Sequence, residues 1–411
     1  MNLTTLKRVL VIILTGLAIV ISGCEKSATP SLYVDDEPAD RPNPVVTGVE
    51  PADAGLAGIG TVTIHGNNFS TVMDENLVFF GKDRATVVSA NANQIVVSTP
   101  NIIADSLELK VAVVGAFGFS NIMRYSLQNA ILPYGIYGPG SEQLFGITID
   151  KDENLYVSIT PRRIDRVSVD TTEVNFATST GVIKADNMRI GPNGNLYFVR
   201  KTNRLYRLQS GSTTSETYLS NMPDNNYDLD FDATGFMYIA GEGDNITSVD
   251  SDGNFQTVAD YPGIFIKALR VYNGYVYVAG TTPDTLEKVW RNPINVPGNL
   301  GPSEEVFNLT SALGANIEIF TMTFDETGNM YLGMNTDDPI LIVHPDGSFE
   351  PLYPGLWIPN GSSGVSEVFD IEWGNDIFMY VNRRHEQESG IVHQLLKVNM
   401  LKMGAPYYGR N

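Results

Sequence analysis

The sequence predicts an all-β chain: a small antiparallel sandwich followed by a six-bladed β-propeller. Two observations carry that expectation. Short runs of β-branched and aromatic residues are punctuated throughout by turn formers, with 38 Gly, 22 Pro, 19 Tyr and 18 Phe among 411 residues. In addition, one hairpin-like unit recurs at intervals near forty residues through the second two thirds of the chain, the signature of a repeat architecture.

The first forty residues stand apart from both. Lys7 and Arg8 precede an apolar run, Val9 to Ile21, broken only by Thr15 and Gly16. That run is short for a membrane span and suits the core of an export signal over residues 1–23. It ends in Ile21-Ser22-Gly23-Cys24, which resembles a bacterial lipobox; the resemblance implies cleavage before Cys24 and acylation of its sulfur. Glu25 follows, rather than the Asp that resembles an inner-membrane retention signal, so the expected location is the outer membrane, lipid-anchored and surface-exposed. Residues 24–43, with Pro30, Pro38 and Pro42 and few large apolar side chains, read as a solvated tether.

Charge and cysteine content narrow the function classes. Lys and Arg total 27 against 47 Asp and Glu, a formal charge of −20, and loss of Lys7 and Arg8 with the signal makes the chain more acidic still. Binding to nucleic acid by general electrostatics is excluded on that balance. Cys24 is the single cysteine, which excludes a disulfide framework and a thiolate zinc cluster.

Residues 44–128 alternate strand and turn. Val45 to Glu50 leads to Pro51, then Thr61-Val62-Thr63-Ile64-His65-Gly66-Asn67-Asn68-Phe69, then Leu77-Val78-Phe79-Phe80-Gly81, Ala85 to Ser89, Gln94 to Thr99, Leu107 to Val114 and Phe119 to Tyr125. Seven short runs with regular turns read as an immunoglobulin-like sandwich. The order of motifs resembles the IPT/TIG family, for which a spacer role is expected in a surface protein.

Residues 129–411 hold the repeat. Its copies pair an apolar first strand with an apolar-Tyr-apolar second strand around Tyr156, Tyr197, Tyr238, Tyr277, Tyr331 and Tyr380. A third strand follows each, for example Arg204 to Leu208, Ile246 to Asp250 and Ile340 to His344, and weaker fourth strands include Thr217 to Leu219 and Phe255 to Val258. Six four-stranded units hide their edges by closing into a propeller. The Gly-Asn-Leu-Tyr and Gly-Asn-Met-Tyr hairpins resemble NHL-type repeats. Either Ile131 to Tyr137 or the tail through Tyr407 and Tyr408 is expected to complete the last blade. The tyrosines, and Trp373 in a first-strand slot, are expected in the core.

Catalytic signals are thin. The four histidines have no zinc-ligand spacing, and neither a nucleophile elbow nor a P-loop occurs. No catalytic or metal-binding residue is assigned and no cofactor is expected, although Asp230, Glu318 and Glu372 are candidates to approach the channel and share a calcium ion. The loops between second and third strands are more informative. Blades one, two and six carry Arg162-Arg163, Arg200-Lys201 and Arg383-Arg384 there, a basic sector suited to an anionic ligand through bidentate contacts. Trp357, in a proline-flanked loop before blade six, is the candidate stacking platform for a sugar ring.

The combination of lipobox, IPT/TIG-like module and propeller resembles accessory surface lipoproteins of Bacteroidetes-type nutrient-uptake loci. That resemblance implies non-catalytic capture of an extracellular polysaccharide, with Trp357 and the arginine sector as contacts and outer-membrane transporter components as partners. Two alternatives remain open on the sequence: a propeller-type lyase or hydrolase, and a protein-binding scaffold.

Overall fold

The computed structural model describes residues 41–137, 142–169, 172–357, 366–387 and 390–409. The export signal, Cys24 and the tether up to residue 40 lie outside the described residues. The described residues form two compact units: one holds residues 41–52 with Val62–Val97 and Glu108–Arg124, the other Asp53–Thr61, Ser98–Leu107 and the described residues from Tyr125 on.

The first unit is built from two sheets. Val45–Glu50, Thr61–Asn67, Gln94–Ser98 and Thr86–Asn91 lie side by side in that order. In the second sheet Asn76–Phe80 pairs antiparallel with Ala104–Val113 and with Asp83–Arg84. Period-two alternation puts Val62, Ile64, Val78, Phe80, Ile95, Val97, Leu109 and Val111 inside, all fully buried. The side chain of Asn76, also buried, accepts from the Ser70 N–H and donates to the Ser70 carbonyl, fixing the entry into its strand.

The second unit is the propeller. Blade one comprises Leu144–Ile149, Leu155–Ile159, Arg163–Val167 and Thr172–Ala177, ordered from the axis outward. Blade two comprises Asn187–Ile190, Leu196–Val199, Arg204–Leu208 and Glu216–Ser220, and blade three Asn225–Phe231, Met237–Glu242, Asn245–Val249 and Phe255–Asp260. Blade four comprises Phe265–Tyr272, Tyr275–Thr281, the long strand Glu287–Val296 and Glu304–Asn308, with Asn299–Leu300 as a short side hairpin. Blade five comprises Ile319–Phe324, Met330–Met334, Ile340–Val343 and Phe349–Pro351. The long stretch between the hairpin of blade four and the first strand of blade five is thus mostly blade four's own outer strands, followed by the short helix Leu309–Leu313.

Blade six takes Ser366–Trp373, Phe378–Gln387 and Gly390–Asn399 from the end of the chain and its outer strand, Ile131–Pro133, from before blade one. Of the two closures expected from the sequence, the earlier segment is the one used. Inner strands touch around the whole ring, blade six against blade one included. The tail has another task, described below.

All six second-strand tyrosines are buried, as is Trp373. Three of these tyrosines also tie down the turn of their own hairpin. The hydroxyls of Tyr156, Tyr238 and Tyr331 donate to Asp150, Asp232 and Asp325, which open the hairpin turns of blades one, three and five. Each aspartate also accepts backbone N–H groups of its own turn, for Asp325 those of Thr327 and Asn329. The recurring Asp and Tyr of the repeat are thus two ends of one hydrogen-bonded turn.

Candidate functional site

In five of six blades the innermost strand carries a β-bulge, at Leu144/Ile147, Asn226/Asp228, Ile266/Ala268, Ile319/Thr321 and Val368/Asp370. A bulge leaves a backbone donor without its ladder partner and re-aims the next side chain. The inner strand is also a sheet edge, and an aspartate of the neighbouring blade takes up one of its inward donors: Leu269 N–H donates to Asp228 at 2.7 Å, and Ile147 N–H to Asp370 at 2.8 Å. One residue from each blade's inner strand faces the axis: Thr148, Arg189, Asp230, Arg270, Thr323 and Glu372, all buried.

That layer is an ion-pair network. Arg189 reaches Asp228 at 3.3 Å and Glu372 at 3.0 Å, and Arg270 reaches Glu372 at 2.6 Å and donates to the Ile371 carbonyl. Burial pushes the carboxyls of Asp228, Asp370 and Asp230 up to about 8, about 7 and about 6, with Arg189 pulling each back down. The channel is therefore lined by charged side chains although the first strands read as apolar. It does not gather the three acids expected there: Glu318 is half-exposed and binds Lys267 at 2.7 Å, away from Asp230 and Glu372. Among the described residues no group of three His, Cys, Asp or Glu side chains is placed to hold a metal ion.

The chain's last described residues close one end of this channel. Ala405 N–H donates to the Phe324 carbonyl, and the Tyr407 hydroxyl accepts from Phe324 N–H at 2.7 Å. Tyr407 is buried over the guanidinium of Arg270, and beneath it a void of about 10 Å³ touches Arg189, Arg270, Asp230 and Glu372, about the room one water needs. Tyr408 packs on Phe231 with ring centroids 5.5 Å apart and stays half-buried.

Above this plug lies a depression of about 1200 Å³ on the face of the first-to-second-strand turns. Its walls include the half-buried rings of Tyr272 and Tyr408 with Asn193, Asn273, Ser210 and Glu326. Tyr272 is held flat against Phe324, centroids 4.5 Å apart, so its outer side is presented rigidly. Asn273-Gly274 forms the tight turn of blade four with both residues at positive φ, which suits Asn and Gly. The acids at the rim are largely engaged: Asp150 and Asp232 cap their own turns, and Asp152 pairs with Lys151 at 2.7 Å. Such a surface offers aromatic faces and amide, hydroxyl and carboxylate hydrogen-bonding groups in one place.

The residues singled out from the sequence lie elsewhere. Trp357 is buried in the packing between blades five and six, its Nε1 donating to the Leu352 carbonyl at 2.5 Å, so it presents no ring to a ligand. Arg383 is buried too, donates to the Trp357 carbonyl and to Gln394, and has its pKa lowered to about 10 by desolvation. Arg163 is bound by Glu142 and Asp165, Arg384 by Glu367, and Lys201 by Glu242 at 3.2 Å. Arg162 and Arg200 form no ion pair among the described residues. Blades one, two and six are neighbours as expected, but three of their six cations meet a carboxylate in place and Arg383 is buried, so no continuous open basic sector results.

Near those cations the opposite mouth is packed with rings. Phe145 meets Phe369 edge-on at 5.5 Å, Lys184 lies 4.1 Å over Phe145, and Tyr227 meets Phe265 at 5.3 Å. Of the histidines, His385 and His393 are buried, with pKa values lowered by desolvation, and His344 accompanies Asn329 in a hairpin. None of the four lines the depression.

Residues 44–127 match the IPT/TIG domain model. No curated protein sequence matches the chain. Among solved structures, an auxiliary nutrient binding protein from Bacteroides thetaiotaomicron is 13% identical with a TM-score of 0.51, over 87% of this chain and 98% of that one. A putative phosphatase from the same organism is 11% identical, also at 0.51, over 87% and 97%. An auxiliary nutrient binding protein from Bacteroides ovatus is 14% identical at 0.48, over 87% and 97%. At such identities the likeness is one of fold, and the different names it spans leave function to the site.

Proposed function

We propose that the chain is a non-catalytic surface lipoprotein that binds an extracellular polysaccharide as an accessory to an outer-membrane uptake system, and that the sugar occupies the depression at the turn-side mouth. The observation that carries this reading is the wall itself: two rigidly backed tyrosine faces beside Asn193, Asn273, Ser210 and Glu326. A sugar ring has an apolar C–H face for the tyrosines and hydroxyls for the polar groups. With Lys151 already paired and Glu326 exposed, the site suits neutral sugars better than uronates. The nutrient-binding names of the similar Bacteroides proteins accord with it. Acylation of Cys24 belongs to the same reading and supplies the outer-membrane location.

Affinity electrophoresis through gels containing single polysaccharides tests the binding. Retardation by a neutral glycan, lost in Tyr408→Ala and Tyr272→Ala and kept in Arg162→Ala, is the expected outcome. No retardation across neutral and acidic panels would sink the reading in favour of a protein-binding scaffold. Release of new reducing or unsaturated ends would replace it with an enzyme. Labelling with a radioactive fatty acid, lost in Cys24→Ala, checks the anchor.

A further inference from the structure

The first unit carries an uncharged stretch, Val114 to Met123, that contains two phenylalanines and an isoleucine yet contributes little to any core. Phe117, at its tip, is 93% exposed, and Val114, Phe119 and Ile122 are each more than half exposed. Val72 and Met73 extend the same exposed character beside Glu75, whose carbonyl accepts from Val114 N–H. A large apolar tip left in water calls for an occupant.

The path of the chain identifies it. The described chain starts at Arg41, and its first residues run along this loop. Arg41 pairs with Glu75 at 2.7 Å and donates to the Val114 carbonyl, and it forms a parallel bridge with Ala116. Asn43 then accepts from Gly118 N–H at 2.8 Å. Sixteen residues separate Cys24 from Arg41, so a lipid on Cys24 lies at most about 60 Å from the loop even with that segment fully extended. Behind the tip stands a cation, Lys110 Nζ, 4.9 Å from the Phe119 ring.

We propose that the loop Val114–Met123 rests in the headgroup region of the bilayer that anchors the chain, with Phe117 inserted and Lys110 at phosphate level. The proposal rests on the lipid-anchor reading of Cys24. Tethering makes the contact effective although it is small. A loop that binds lipid weakly from solution is held at an effective concentration on the order of millimolar once its own chain is anchored nearby. The contact gives the sandwich a definite stance on the membrane in place of free swivelling on the tether.

The test uses Cys24 as the chain's single cysteine. The chain from Cys24 onward is coupled through that sulfur to a maleimide phospholipid in phosphatidylcholine–phosphatidylethanolamine vesicles. Success therefore does not depend on acylation in the cell, which the labelling of Cys24→Ala decides separately. Relative to the parent, Phe117→Trp is expected to show blue-shifted emission on vesicles and quenching by lipids brominated near the headgroup. Phe255→Trp, on an exposed outer strand of blade three, is expected to show neither. Emission from Phe117→Trp that is the same with and without vesicles overturns the proposal, and so does equal quenching of both variants. A lipid-free dimer in sedimentation that Phe117→Asp abolishes also overturns it, assigning the loop to a second copy.

Discussion

The two mouths of the propeller channel are made of similar residue types and have opposite chemistry. At the mouth facing the second-to-third-strand loops, Arg163, Lys201 and Arg384 each meet a carboxylate, Phe145 packs on Phe369 and Tyr227 on Phe265. At the turn-side mouth the aspartates are absorbed into turns, while Tyr272, Tyr408, Asn193 and Asn273 face a large depression. The lesson is that charge density along a sequence is a poor guide to a ligand site. A cation beside a carboxylate is already satisfied, whereas a tyrosine backed by another ring has a face to spare.

The largest effect is expected between the mouths. Arg270→Ala removes a 2.6 Å cation partner from buried Glu372 and the support under Tyr407. It should cost about 3–5 kcal/mol in urea unfolding of the propeller. A loss below about 1 kcal/mol would mean the ring is not the plug's foundation. Next, Tyr408→Ala should weaken glycan retardation at least about tenfold, the loss of a central aromatic anchor, with Tyr407→Phe weakening it less.

The buried acids between the mouths give a pH signature of unusual sign. The folded-state pKa values of Asp228 and Asp370 are raised, to about 8 and about 7, so the folded state binds more protons than the unfolded one between pH 4 and 8. Their contribution to stability is present at low pH and is lost as pH rises through those values, each by at most about 1.4 kcal/mol per pH unit. Urea midpoints should therefore fall from pH 5.5 to pH 8.5, and Asp228→Asn should flatten that fall. The smallest effect belongs to an exposed paired cation. Lys201→Ala should change stability by about 1 kcal/mol or less and leave glycan retardation intact; a strong loss of binding would move the site to the other mouth.

The repeat was legible because its physics is local. Alternation sets strand faces, and the Asp-to-Tyr turn repeats as a unit, so the second-strand tyrosines and Trp373 could be placed in the core from spacing alone. Third strands such as Arg204–Leu208 fell where their pattern put them. The site was less legible. Arg189 and Arg270 occupy the same slot as Asp230 and Glu372 in their repeats, which was visible by superposing the copies, yet each looked like an ordinary strand charge. Trp357 looked like a loop residue because its burial depends on blade six, which follows it in the chain. Tyr408 belongs to no repeat, and nothing in its neighbours indicated that it reaches blade three.

The sequence by itself determined what short-range periodicity can encode: an all-β chain, a sandwich resembling the IPT/TIG family, and blades each built from a hairpin with strands added outside it. Tertiary structure alone decided which segment closed the ring, that the tail plugged the channel, and which charges met. Those outcomes join residues separated by hundreds of positions, such as Ile131 with Val398 and Arg189 with Glu372. They follow from what ring closure brings together and from the cost of leaving a buried charge or backbone donor unpaired.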